Sequence, residues 1–239
     1  MGRLAATAVA ATEDLELVAL FGPGGESAHG LEITNDPTAL SEADVVVEFT
    51  NPDVVMDNLA AWRDMGLHTV VGTSGFDAAR LATVEEEWGS GPPNCIIAPN
   101  FSIGAVLLMH FAERAAAHMP VAEIVELHHE DKPDAPSGTA LATAQRMADA
   151  RKGRGTAFQS KELVAGARGA DVDGIPVHSI RLPGIIASQE VVLGADGETL
   201  SMRHDTFDRE SFMPGVLLAV RAIADRPGVT FGLESLLGI

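Results

Sequence analysis

The chain has one cysteine, Cys95, in 239 residues. No internal disulfide can form, and such usage fits a reducing compartment. Positive charge is also scarce: 16 Lys and Arg stand against 34 Asp and Glu, a formal net charge of −18. A surface of that sign repels phosphate backbones, so no nucleic-acid partner is expected without a local basic patch. The short cluster "RKGR", Arg151 to Arg154, falls at the end of a helix pattern, where it complements the negative pole of the helix dipole. No apolar run approaches the roughly 18 residues of a membrane span, so no membrane partner is expected either. The opening "MGRLAATAVAATEDLELVAL" lacks the long apolar core and cleavage site of a secretory signal. A cytoplasmic location is the expectation. Internal repeats and low-complexity segments are missing as well.

What the chain does contain is ordinary globular material, 46% hydrophobic and 21% charged, long enough to bury a core in one large α/β domain or two small ones. The first half alternates strand and helix patterns. "LELVALF" is a strand candidate before the Gly/Pro-rich loop "GPGGESAHG". "ADVVVEFT" is the near-continuous apolar run of a parallel strand covered on both faces. At "TNPDVV", Thr50 or Asn51 is placed to cap a helix with Pro52 at its first position, and that helix stops at Gly66. "HTVVGTSG", "FDAARLATVEEEW" and "NCIIAPNF" continue as strand, helix and strand, and Ser102 starts the helix "SIGAVLLMHFAERAAAHM". Such repetition predicts a doubly wound, Rossmann-like parallel sheet. After Pro120 the texture changes. "AEIVELHH" reads as a strand and "SGTALATAQRMADARK" as a helix, and consecutive strands follow with tight turns at "LPG" and "ADG". "RESFMPGVLLAVRAIAD" returns to amphipathic helix. The expected organisation is a nucleotide-type α/β domain over 1–101 and 207–239, with an α+β insertion over 102–206.

Ligands of open α/β sheets lie beyond the carboxyl ends of the strands. Two such ends carry suitable groups: Gly72, Thr73 and Ser74 in one, and Ala98, Pro99, Asn100 and Phe101 in the other. The small residues permit close backbone approach, the hydroxyls suit a ribose or phosphate, and Asn100 and Phe101 suit a nicotinamide. Each stretch on its own is also ordinary strand-to-helix turn chemistry. The segment "ELHHEDKPDAPSGTAL", Glu126 to Leu141, is more specific. His128 and His129 leave a strand end on opposite sides. Lys132 follows in a loop stiffened by Pro133 and Pro136, and nearby imidazoles would make it a better proton donor. Ser137 then caps a helix whose first N–H groups, at Gly138 and Thr139, are ready to receive a carboxylate or phosphate. The plainer readings are a structural histidine, a simple cap, and a loop lysine paired with Glu130, Asp131 or Asp134. A metal site at "HHED" is not expected, because adjacent histidines on an extended strand diverge. A serine hydrolase is not expected either, since no Gly-x-Ser-x-Gly elbow surrounds Ser137.

On these residues the chain resembles the dihydrodipicolinate (4-hydroxy-tetrahydrodipicolinate) reductase family. "ELHHEDKPDAPSGTA" is similar to the family's His-His signature, and "VVGTSGF", "IAPNFSIGAVLL", "GIPVHSIRLPG" and "GLESLLGI" follow the family's order across almost the whole chain. The resemblance implies NADH or NADPH as cofactor and hydride transfer to C4 of a cyclic dicarboxylate, in lysine and diaminopimelate biosynthesis. It implies that His128 and Lys132 handle protons, and that His129, Gly138 and Thr139 hold carboxylates. It also implies that residues 72–74 and 98–101 contact the cofactor, and that the inserted domain joins a homotetramer.

Two departures stand out. The family opens with a first strand and a Gly-x-x-Gly-Arg-Met-Gly turn for the pyrophosphate, whereas this chain begins at "MGRL", the last residues of that turn. A start lying upstream is the expectation. The rival is a non-catalytic, dicarboxylate-binding or oligomeric remnant without the cofactor's phosphate loop. The second departure follows "LELVALF", where an acidic residue would bond the ribose of NADH: Phe21-Gly22 stands there, with Glu26 further on and no arginine near in sequence.

Overall fold

The computed structural model describes residues 1–153 and 160–239. In chain order the elements are α1 (Gly2–Ala10), β1 (Leu20–Phe21), β2 (Ser27–Ala28), β3 (Leu31–Thr34), β4 (Val45–Glu48), α2 (Val55–Asp64), β5 (His68–Val71), α3 (Ala78–Trp88), β6 (Cys95–Ile97) and α4 (Ile103–Ala116). There follow β7 (Val121–His128), α5 (Gly138–Arg151), β8 (Ala170–Val172), β9 (Ile175–Arg181), β10 (Ala187–Ala195), β11 (Glu198–Thr206), α6 (Met213–Ala222), β12 (Val229–Phe231) and α7 (Glu234–Leu237). The chain divides into two compact units, Met1–Ile103 with Phe212–Ile239, and Gly104–Ser211.

The first unit is built on a parallel sheet in the order β12-β6-β5-β4. Its strands read as apolar runs because both faces are covered: all of β6 is buried, and so are Thr69, Val70 and Val71 of β5. Leu59 and Trp62 of α2 and Val84 and Trp88 of α3 pack against Val71, Cys95 and Ile97. Burial pushes the Cys95 thiol up to about 12, so it behaves as a small core side chain rather than a nucleophile.

Two expectations need correction here. Helix α2 begins at Val55, not at Pro52, and neither Thr50 nor Asn51 caps it. The Asn51 side chain instead accepts the N–H of Asp53 at 3.0 Å, which holds residues 51–53 in a turn before the helix starts. Of "LELVALF" only Leu20 and Phe21 form a strand, and they pair with β3, a strand the sequence reading missed. The sheet β1-β3-β2 is separate from the parallel sheet, and β1 and β4 each end their sheet with one edge unpaired among the described residues. A cavity of about 1120 Å³ is lined by both edges and by α1. Without a ladder partner, residues 15–19 are not held as strand.

The second unit carries a mixed sheet in the order β11-β10-β7-β9-β8. The central β7 is parallel to β9 and antiparallel to β10. Alternation along β7 puts Ala122, Ile124 and Glu126 on one buried face. There Ala122 and Ile124 meet Leu108, Ala112 and Ala116 of α4 and Ala140, Ala144 and Met147 of α5. The opposite face shows the half-buried Val125, Leu127, Ile180 and Val192 between charged pairs such as Glu123 with His178. The "ADG" turn is a hairpin, since Ala195 pairs with Glu198. "LPG" is not: it links β9 and β10, which flank β7 on either side, so the sheet is not a simple meander. A second Asp-Gly hairpin was overlooked, with Val172 opposite Ile175 and Asp173 and Gly174 both at positive φ. Arg151 closes α5 and Lys152 caps it in the left-handed region. Arg154 lies outside the described residues.

Candidate active site

The site in the second unit grows from the end of β7. Glu126 and His128 share the helix-facing side of the strand, and Glu126 is fully buried. A lone buried carboxylate would be expensive, and four groups answer this one. Arg181, opposite His128 on β9, donates from Nη1 to Oε2 at 3.0 Å and from Nη2 to Oε1 at 2.9 Å. The Ser137 N–H donates to Oε1 at 3.3 Å. His128 Nδ1 lies 2.5 Å from Oε2. Burial alone would push this carboxyl up. The hydrogen bonds from His128, Arg181 and Ser179 outweigh it and bring it down to about 2. An ionised carboxylate can only accept, so Nδ1 of His128 carries the hydrogen and Nε2 is left for other work.

His129 is the first residue beyond β7, and its carbonyl accepts the Lys132 N–H at 3.2 Å, closing a turn. The Lys132 ammonium meets Asp134 Oδ1 at 2.7 Å and holds the Asp134 carboxyl below the usual range. This carboxylate partner is one of the plainer alternatives for the lysine. Arg181 Nη2 also donates to the Asp134 carbonyl at 2.6 Å, so the loop is tied to the same guanidinium as Glu126.

Helix α5 begins where the pattern placed it. Ser137 is the N-cap in extended conformation, and its Oγ accepts the Ala140 N–H at 3.2 Å. The N–H groups of Gly138 and Thr139 lie ahead of that bond, in the first turn of the helix. A side chain at Gly138 would meet nothing within 4 Å, and the first turn holds no acidic residue. Open space at Gly138 and a first turn without acidic side chains suit an anion.

In the first unit the two predicted stretches lie at the carboxyl ends of the neighbouring parallel strands β5 and β6. Gly72 is required by packing, since a Cβ there would stand 2.0 Å from Cε1 of Phe49. Thr73 is buried and its hydroxyl donates to the Glu48 carbonyl at 3.3 Å, whereas Ser74 is exposed. Ala98 and Phe101 are buried, Pro99 is exposed, and the Asn100 side chain accepts the Ser102 N–H at 2.8 Å. Phe101 packs against Phe49 with ring centroids 5.7 Å apart. The exposed Ser74 and Pro99, with the half-buried Asn100, are the groups of these two strand ends that a dinucleotide could reach. Glu26, beyond β1, pairs with Arg3, a residue 23 positions away that sequence proximity could not associate with it. Among the described residues no cluster of three potential metal ligands occurs.

Sequence reasoning missed Glu126 and Arg181. The signal for Glu126 was present: the alternation Ala122, Ile124, Glu126, His128 puts a charge on an otherwise buried face. Arg181 becomes significant only once β9 is known to lie beside β7.

Comparison with known proteins identifies the family. Models of the dihydrodipicolinate reductase N-terminus and C-terminus match residues 1–101 and 104–237. The 4-hydroxy-tetrahydrodipicolinate reductases of Cutibacterium acnes and Mycolicibacterium vanbaalenii are each 51% identical over all of this chain, covering 95% and 96% of their own lengths. The dipicolinate-bound dihydrodipicolinate reductase of Paenisporosarcina sp. superposes with a TM-score of 0.85 at 36% identity, over 98% of this chain and 94% of that one. An aspartate dehydrogenase from Thermotoga maritima, at 12% identity and a TM-score of 0.52, shares the fold alone. With both of its halves matched and half of its residues identical to curated relatives along its full length, the chain belongs to the dihydrodipicolinate reductase family.

Proposed function

We propose that this chain reduces 4-hydroxy-tetrahydrodipicolinate to tetrahydrodipicolinate, with loss of water, in lysine and diaminopimelate biosynthesis. The observation that carries the assignment is the pairing of an oriented imidazole, His128, with the start of α5, nine to eleven residues away along one connection. The N–H groups of Gly138 and Thr139, with His129, hold the substrate's carboxylates. His128, its Nδ1 tied to Glu126, presents Nε2 as the atom that moves a proton. Lys132 supplies a second proton donor and a positive charge beside the dicarboxylate. Gly72, Thr73, Ser74 and residues 98–101 would hold NADH or NADPH. When bound, the nicotinamide supplies the hydride that reaches C4. The enzyme works in the cytoplasm as a homotetramer, joined through the face of the inserted sheet that bears Val125, Ile180 and Val192.

The test is turnover in His128→Ala and Lys132→Ala. Each should lower kcat by about 10²- to 10⁴-fold, the usual worth of general acid–base catalysis, while melting behaviour persists and His128→Ala still binds dipicolinate. Near-normal rates would defeat the role assignment. Calorimetric titration adds a second arm. Binding of dipicolinate without binding of NADH or NADPH would favour a non-catalytic remnant instead.

A further inference from the structure

We propose that Glu126 and Arg181 are positioning residues, which fix the tautomer and direction of the His128 ring and tie the Lys132 loop and the start of α5 to it. The proposal rests on the reading of His128 as the proton-transferring group. One carboxylate touches three parts of the site: the His128 ring through Oε2, the α5 N-cap through the Ser137 N–H on Oε1, and β9 through both guanidinium nitrogens. Arg181 extends this frame to the loop through the Asp134 carbonyl. The ring, the loop and the helix start therefore share one buried anchor.

Physical reasoning explains why such an anchor is useful. A neutral imidazole exchanges between two tautomers and rotates about its side-chain bonds unless one nitrogen is engaged. An ionised Glu126 selects the Nδ1–H form and leaves Nε2 as the atom that gains and gives the proton. It also supplies a counter-charge for the imidazolium that must form in each cycle, much as a buried carboxylate serves the histidine of a catalytic triad. Arg181 keeps the carboxylate ionised and stops it from swinging away, its fork matching both oxygens. The other charged groups nearby are on the loop: Glu130, Asp131, Lys132 and Asp134, with Lys132 and Asp134 paired to each other.

The measurements are nitrogen-resolved NMR of the histidine rings and steady-state kinetics. In the unaltered protein the neutral His128 ring should be the Nδ1–H tautomer; finding the Nε2–H tautomer would overturn the proposal without any variant. Glu126→Gln should lower kcat by about 10²-fold, the low end for a disturbed acid–base group, with dicarboxylate KM little changed and a mixture of tautomers at His128. Glu126→Asp, which keeps the charge, should recover part of the loss. Should Glu126→Gln fold poorly, the double variant Glu126→Gln/Arg181→Gln removes both charges of the pair and leaves no lone buried ion. Its kcat should also stay low, and a rate equal to that of the unaltered protein would sink the idea. His128→Asn, measured in parallel, separates the two readings. An inactive His128→Asn beside an unimpaired Glu126→Gln rejects the positioning role alone, whereas an active His128→Asn rejects the site itself.

Discussion

Glu126 is a fully buried carboxylate held by Arg181, His128 and Ser137, and its charge sets the first pH dependence. Its carboxyl ordinarily titrates at 4.5 and is held at about 2 in the folded chain. On acidification the unfolded chain takes up the proton first, so the folded form loses its advantage. The contribution is complete above about 4.5 and is lost progressively as pH falls toward about 2. Urea unfolding at stepped pH should show the unaltered chain losing on the order of 3 kcal/mol relative to Glu126→Gln across that window. A constant gap between the two would mean that the carboxylate is not held ionised. The same residue shows what a sequence conceals. Its place on the buried face was readable from period-two alternation, but its value depends on Arg181, which reaches it across a strand pairing 55 residues away.

Among the elements, α5 has the most legible boundary and the one with the greatest bearing on function. Ser137 was readable as a cap because a short hydroxyl side chain before an alanine-rich run competes for the first helical N–H groups, and its bond to Ala140 realises that. Ser137→Ala should therefore cost about 1 kcal/mol of folding stability in urea. Gly138→Ala separates fold from function at the same turn. Its Cβ would enter open space, so stability should hold or rise by up to about 1 kcal/mol, since alanine is the better helix former. At the proposed carboxylate site the methyl would nevertheless crowd the approach to the N–H groups, and dipicolinate affinity should fall by about tenfold or more. An unaltered affinity would place the anion elsewhere. Other elements were less legible for physical reasons. The strands β4, β5, β6 and β7 announce themselves through apolar runs or alternation. The strands β2, β3, β8 and β12, of two to four residues, lack the flanking apolar run that marks β4 to β6 and are too short to show a period. Pro52 gave a persuasive false start for α2, because the Asn51 side chain satisfies the Asp53 N–H in a turn that no hydrophobic pattern reports.

At the scale of the whole molecule, the two classes of unit were readable and the neighbour relations inside them were not. "LPG" looks like a hairpin turn, yet the strands it joins lie on opposite sides of β7, a choice made by contacts with β7 itself. The same sheet sets the last expectation. Helices α4 and α5 cover one face and leave Val125, Leu127, Ile180 and Val192 half-buried on the other. Net charge of −18 disfavours association of like chains at large, so a stable assembly needs a face where charges are already neutralised within the chain. On this face Glu123 is answered by Arg168 and His178, and Glu190 by Arg203. The apolar residues between those pairs can then meet their counterparts without burying lone charges. Val192→Arg tests this, because position 192 lies opposite Glu123 and Ser201, where a guanidinium finds partners inside its own sheet. Light scattering or sedimentation should give a tetramer for the unaltered chain and a smaller species for the variant, with an unchanged circular dichroism spectrum. A chain that is monomeric at micromolar concentration, or a variant that stays fully assembled, would remove this face from the interface.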